Sequence, residues 1–126
     1  MFRFSVLSGL LLCVGLVGCS SGDRPPLGRV SGTVTMDGKP LAGVIVSFQP
    51  ETGRAASAET DAEGNFDLEY TYQVKGAKIG PNTVSFAWPT GAEGKQNIPA
   101  RFSTKSELKE EVKSGKNTFK FELTSK

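Results

Sequence analysis

Asp61, Glu63 and Asn65 place side-chain oxygens at alternate positions, the spacing with which calcium-binding loops begin. An EF-hand loop also requires glycine at its sixth position and glutamate at its twelfth, where this chain has Phe66 and Tyr72. Asp61-Ala62-Glu63-Gly64-Asn65 therefore reads as a turn, capped by the Asp61 side chain, with Gly64 accepting a left-handed backbone. Composition narrows the remaining chemistry. The 126 residues include no histidine, which excludes a Ser-His or Cys-His nucleophile and His-ligated zinc. It also leaves no side chain whose unperturbed pKa lies between about pH 5 and 8. No paired carboxylates, phosphate loop or activated nucleophile stands out, so the expectation is a protein that is not an enzyme, with no catalytic residue, metal or cofactor. Lys and Arg number 15 against 13 acids, a net charge of +2, which gives no phosphate-tracking surface and no nucleic-acid partner. Trp88 and Tyr72, together with Tyr70, offer an aromatic ligand surface on which a sugar ring would stack. Trp88 continues the Val84/Phe86 alternation, however, and so belongs first to the core.

The two cysteines, Cys13 and Cys19, both lie near the N-terminus. Arg3 supplies a positive start and Phe4 to Val17 an apolar stretch broken only by Ser5, Ser8, Gly9 and Gly15. As a helix that stretch rises about 21 Å at ~1.5 Å per residue, short of a hydrocarbon core of ~30 Å, and it reads as a cleaved signal peptide over residues 1–18. Leu16-Val17-Gly18-Cys19 resembles the bacterial lipoprotein box: an aliphatic residue, two smaller ones, then cysteine. The resemblance implies that Cys19 takes a diacylglyceryl thioether and becomes the acylated (palmitate-bearing) N-terminus of the mature chain. Its partner is then a membrane, and its place the bacterial cell envelope. Ser20 in place of aspartate favours the outer membrane over the inner. Cys13 leaves with the signal, so no disulfide is expected. Residues 19–27, ending in Pro25-Pro26-Leu27, form a lipidated tether.

A period of two then dominates, the mark of half-buried strands. Val30, Gly32, Val34 and Met36 share one face before the turn Asp37-Gly38-Lys39-Pro40; Val44, Val46 and Phe48 share the next. Ala56, Ala58 and Thr60 form a small-residue strand, followed across the Asp61–Asn65 turn by Phe66 and Leu68. Val84, Phe86 and Trp88 alternate again, and Ile98, Ala100 and Phe102 predict a further strand. Leu108, Glu110 and Val112, the turn Ser114-Gly115-Lys116-Asn117, and Phe119, Phe121 and Leu123 predict a closing hairpin. Lys109, Lys113 and Lys116 mixed with Glu107, Glu110 and Glu111 predict a solvated edge protected against aggregation.

Gly32-Thr33-Val34 with Asp37-Gly38-Lys39-Pro40-Leu41-Ala42-Gly43-Val44-Ile45-Val46 resembles the opening of carboxypeptidase regulatory-like (transthyretin- or prealbumin-like) domains. Thr60-Asp61-Ala62-Glu63-Gly64-Asn65-Phe66-Asp67-Leu68 is similar to their T-D-x-x-G-x-F-x-L signature. The resemblance implies an all-β fold over residues 28–124: a single antiparallel β-sandwich of about seven strands, with Asp37, Gly38, Asp61 and Gly64 as structural turn residues. It also implies a folding, spacing or interaction module. The hydrolases of the wider transthyretin-like fold rely on histidines and a C-terminal motif that this chain lacks. The expected function is a non-enzymatic, membrane-anchored structural or protein-interaction module of the envelope, whose partner is an envelope protein. The alternative is a glycan- or small-ligand-binding module at the cell surface.

Overall fold

The computed structural model describes residues 25–91 and 97–126. The expected signal peptide, the Leu16-Val17-Gly18-Cys19 box and the tether as far as position 24 lie outside the described residues.

The described chain is all-β. Its strands are β1 (Leu27–Met36), β2 (Lys39–Pro40), β3 (Ile45–Pro50), β4 (Ala56–Glu59), β5 (Asn65–Asp67), β6 (Glu69–Thr71), β7 (Val74–Lys75), β8 (Ala77–Lys78), β9 (Gly80–Ala87), β10 (Lys109–Val112) and β11 (Lys116–Leu123). They form two sheets. In the first, β11 flanks β1 on one side, while β8, β5 and β2 take successive stretches of its other side. The second runs β10-β9-β3-β4-β6-β7. Alternation decides what lies between them. Val30, Val34, Met36, Phe66, Phe121 and Leu123 from the first sheet meet Val46, Phe48, Ala56, Val84, Phe86 and Val112 from the second in one core. Phe121 is its hub, with ring centroids 5.4 Å from Phe86, 5.8 Å from Phe119, 6.0 Å from Phe66 and 6.2 Å from Phe48.

Four sequence expectations are corrected. The sheets are not wholly antiparallel: β1 and β11 run parallel from Arg29↔Lys116 to Met36↔Leu123. Eleven strand segments replace about seven, the excess being two- and three-residue pieces, of which β7 and β8 are parted by Gly76 at positive φ. Ile98 to Phe102 is not a strand, because Pro99, at φ −57°, starts a 3-10 turn over Ala100–Phe102 closed by Phe102 N–H to Pro99 O at 2.9 Å. Finally, the closing hairpin is an arch. β10 pairs with β9 in the second sheet, and β11 crosses to β1 in the first. The arch lets Val112 and Phe121 enter the same core from opposite sides. Asn117 holds it: its Oδ1 accepts Lys113 N–H at 2.9 Å, and its Nδ2 donates to Lys113 O at 2.8 Å and to Arg29 O at 2.9 Å. The charged segment before the arch is a strand as expected, with Lys109 and Glu111 exposed and Val112 buried.

Candidate functional site

The two motif turns meet on β1. Asp37 (φ 54°) and Gly38 (φ 85°) are the two central residues of the β1–β2 hairpin, both left-handed as the twist of a two-residue hairpin demands. In the second turn Asp61 Oδ1 accepts Glu63 N–H at 2.9 Å and Asn65 N–H at 2.8 Å. That oxygen is spent on the loop's own backbone, as in an Asx turn. Gly64 sits at φ 82°, and a Cβ there would fall 2.5 Å from Val34 O. Val34 links the turns: its N–H donates to Gly64 O at 2.8 Å, and its carbonyl accepts Leu41 N–H at 3.0 Å.

A residue not singled out from sequence as a site completes this junction. Thr60 is buried. Its hydroxyl donates to Leu41 O at 2.7 Å and accepts Val44 N–H at 3.0 Å. Its backbone exchanges bonds with the same stretch, Thr60 N–H to Val44 O at 2.8 Å and Gly43 N–H to Thr60 O at 3.0 Å. Thr60 therefore does for the approach to β3 what a ladder partner would do. The signal in sequence was a threonine on the inward face of an alternating run.

Around the junction the surface is charged and shallow. Glu59, Asp61, Asp67 and Lys75 line an open depression beside Phe66. Asp67 Oδ2 receives Arg29 Nη2 at 2.9 Å and lies 3.8 Å from Lys75 Nζ, which also reaches Glu69 at 3.3 Å. The pairs are half exposed, so they balance charge more than they stabilise. On the far side of the first hairpin, Ser125 donates its hydroxyl to Asp37 Oδ2 at 2.6 Å and its backbone N–H to Oδ1 at 3.1 Å. These bonds hold the Asp37 carboxyl below its ordinary value, the hydroxyl contributing most.

The two aromatics of the expected ligand surface are not brought together. Trp88 packs half-buried against the core just past Ala87, level with the start of β3. Tyr72, 85% exposed, follows β6 and is level with the far end of β3. The two stand roughly 20 Å apart along the second sheet and about 14 Å across it, from strand rise and spacing. Among the described residues no group of three His, Cys, Asp or Glu is placed to hold a metal ion, and no helix is long and apolar enough to cross a membrane.

The fold class these observations define is an all-β module of two sheets around a shared core. No protein-family model matches the chain, and no curated protein matches it. Among solved structures, it is similar to a DUF3823 family protein from Parabacteroides merdae, with a TM-score of 0.49 at 15% identity, covering 80% of this chain and 47% of that one. The chain thus spans about half the length of that structure.

Proposed function

We propose that this chain is a lipid-anchored, non-enzymatic module of the bacterial cell envelope, acting by contact with other envelope proteins. In this reading residues 1–18 are removed, Cys19 carries the diacylglyceryl group and palmitate, and the outer membrane holds the anchor. The observation that carries it is where the first strand starts. β1 starts at Leu27, immediately after Pro25 and Pro26. An anchor at Cys19 would therefore lie within about 25 Å of the first sheet, taking ~3.1 Å per residue for an extended, proline-containing segment. Such a linker is too short to let the module roam and long enough to clear headgroups.

The finer family reading, a carboxypeptidase regulatory-like sandwich, is supported by how the two motif stretches interlock. The Asp37-Gly38 hairpin and the Asp61–Asn65 loop share Val34, and Thr60 ties the second stretch to Leu41 and Val44 of the first. Residues that make a motif for one structural reason are expected to meet in space, and these do.

The test is Cys19→Ala with labelled palmitate and membrane fractionation. The full chain should incorporate label and sediment with membranes; Cys19→Ala should incorporate none and either appear soluble or keep its signal. A Cys19→Ala chain that is still shortened and membrane-bound overturns the anchor. The alternative of glycan binding predicts a change in Trp88 fluorescence when envelope polysaccharide is added.

A further inference from the structure

β11 is the outermost strand of the first sheet, with a ladder partner, β1, on one side only. The direction of its backbone groups follows from two bonds at its ends. Gly115 O accepts Arg29 N–H at 2.8 Å, and Leu123 O accepts Asp37 N–H at 2.9 Å. In a parallel ladder the groups alternate sides, so the odd-numbered residues of β11 face β1. The N–H and C=O of Lys116, Thr118, Lys120 and Glu122 therefore point away from the sheet. Among the described residues no hydrogen bond reaches this outer edge. All four side chains are exposed, and Phe119 between them is only half-buried against Phe48, at 5.7 Å between centroids. A strand of this length with an open row of donors and acceptors is a template for another strand.

Charge and overlap together discriminate among the registers of antiparallel self-pairing, since one centred on Phe121 also sets Lys120 against Glu122 but pairs only Phe119 to Leu123. Like must face like across the pleat, which leaves registers centred on one residue. Centred on Thr118, the strand sets Lys116 against the partner's Lys120, twice. Centred on Lys120, it sets Lys120 against the partner's Lys120. Centred on Phe119, Lys116 meets the partner's Glu122, Glu122 meets the partner's Lys116, and Thr118 meets the partner's Lys120. That register opposes no like charges, and every outward-pointing residue exchanges both hydrogen bonds with its opposite. It also brings Phe119 against the partner's Phe119 in the close, non-hydrogen-bonded position where aromatic pairs gain most.

We propose that β11 is a self-recognition edge, through which two copies of this chain pair antiparallel about Phe119 to join their first sheets. The interface is isologous, one two-fold axis passing through the Phe119 pair. It deepens the proposed function by naming a partner, a second copy, but rests on the edge alone. A failed anchor at Cys19 would leave its readout unchanged.

The experiment uses the full chain in detergent micelles, mixed in equal parts with ¹⁵N-labelled chain and treated with a carbodiimide, which joins a carboxylate to an amine only in direct contact. Within one strand Lys116 and Glu122 are about 20 Å apart, so they cannot join within one copy. The expected product is a Lys116–Glu122 linkage of mixed isotope, alongside a dimer in sedimentation. Thr118→Pro removes an N–H that the β1 ladder does not use and should cut the linkage about tenfold or more. Glu122→Lys, which leaves the backbone untouched, should weaken the sedimenting dimer by a similar factor, and the exchange Lys116→Glu with Glu122→Lys should restore it. A monomer with no mixed-isotope linkage overturns the proposal. So does a dimer indifferent to both Thr118→Pro and Glu122→Lys, or recovery of a different protein on β11 with no self-linkage.

Discussion

Removing one oxygen at Thr60 while keeping its shape separates two accounts of why a polar residue sits in this core. On burial alone, Thr60→Val should be neutral or stabilising, because a methyl replaces a hydroxyl at a position that is 4% exposed. On the hydrogen-bond account it is damaging, because it strands two backbone groups. Leu41 O loses the donor at 2.7 Å and Val44 N–H the acceptor at 3.0 Å. An unsatisfied buried group costs roughly 1–3 kcal/mol, and relief of the hydroxyl's own burial returns up to ~1 kcal/mol. Two such groups at a central ~2 kcal/mol each, less the ~1 kcal/mol returned, make the net loss about 3 kcal/mol. Thr60→Ser provides the control: it keeps both bonds and gives up one methyl, about 1 kcal/mol. At roughly 4–8 °C per kcal/mol for a domain of this size, Thr60→Val should melt at least ~8 °C below the unaltered chain, and Thr60→Ser several degrees below it. Thermal unfolding followed by far-ultraviolet circular dichroism measures both. A Thr60→Val protein as stable as Thr60→Ser, or more so, refutes the assignment of Thr60 as the partner of the Leu41–Val44 segment.

Two further perturbations test the turns. Gly64→Ala and Gly38→Ala impose a side chain at nearly the same φ, 82° and 85°, but only the first meets an atom, Val34 O at 2.5 Å. Gly38→Ala should cost about 1 kcal/mol and Gly64→Ala about 3 kcal/mol or more in urea unfolding; equal costs would show that space at Gly64 does not matter. For Asp37, the folded carboxyl titrates below its ordinary value of 3.8 through its bonds with Ser125. The stability it contributes is therefore present above that value and is lost as pH falls through the lower, folded one. Asp37→Asn should accordingly be less stable than the unaltered chain at neutral pH, with the gap closing in acid; a gap that is constant with pH would remove the ionised form from the explanation.

What could be read in advance depended on how far away the deciding contact lay. Period-two runs were enough for β1, β3, β9 and β11, since one face of each is dry and the signal is local. The Asp37-Gly38 and Asp61–Asn65 turns were legible for the same reason: Asp61 caps N–H groups two and four residues ahead of it. The Ser114–Asn117 turn was seen, but a turn reports that the chain changes direction, not which sheet the next strand enters. That choice rests on Asn117 reaching Arg29, 88 positions away. Thr60 was placed on the correct inward face without its role, because its acceptor and donor lie 19 and 16 residues back. Tyr72 and Trp88 could each be read from their neighbours, whereas the distance between them depends on the order β9-β3-β4-β6, which no local pattern carries. β6, β7 and β8, two or three residues long, are held by partners and not by propensity, so no local pattern announces them.

The parallel pairing of β1 with β11 gives the proposed anchorage a mechanical meaning. Each pairing partner of the first sheet outside the junction loops reaches it through β1: β11 along one side, β8, β5 and β2 along the other. A force entering from a tether at Leu27 therefore acts along the axis of the strand that organises the sheet. Because β11 runs parallel to β1, its far end points away from the tether, and pulling slides the two strands past one another. The bonds from Arg29 to Met36 then share the load together, where an antiparallel hairpin pulled at its open end would release them one after another. Gly32 tightens the same ladder, since a Cβ at that position would lie 1.9 Å from Phe119 O, closer than any side chain allows. A module held to a membrane by its first strand gains from being closed by a parallel partner, and the lock, once formed, leaves the opposite edge of β11 open.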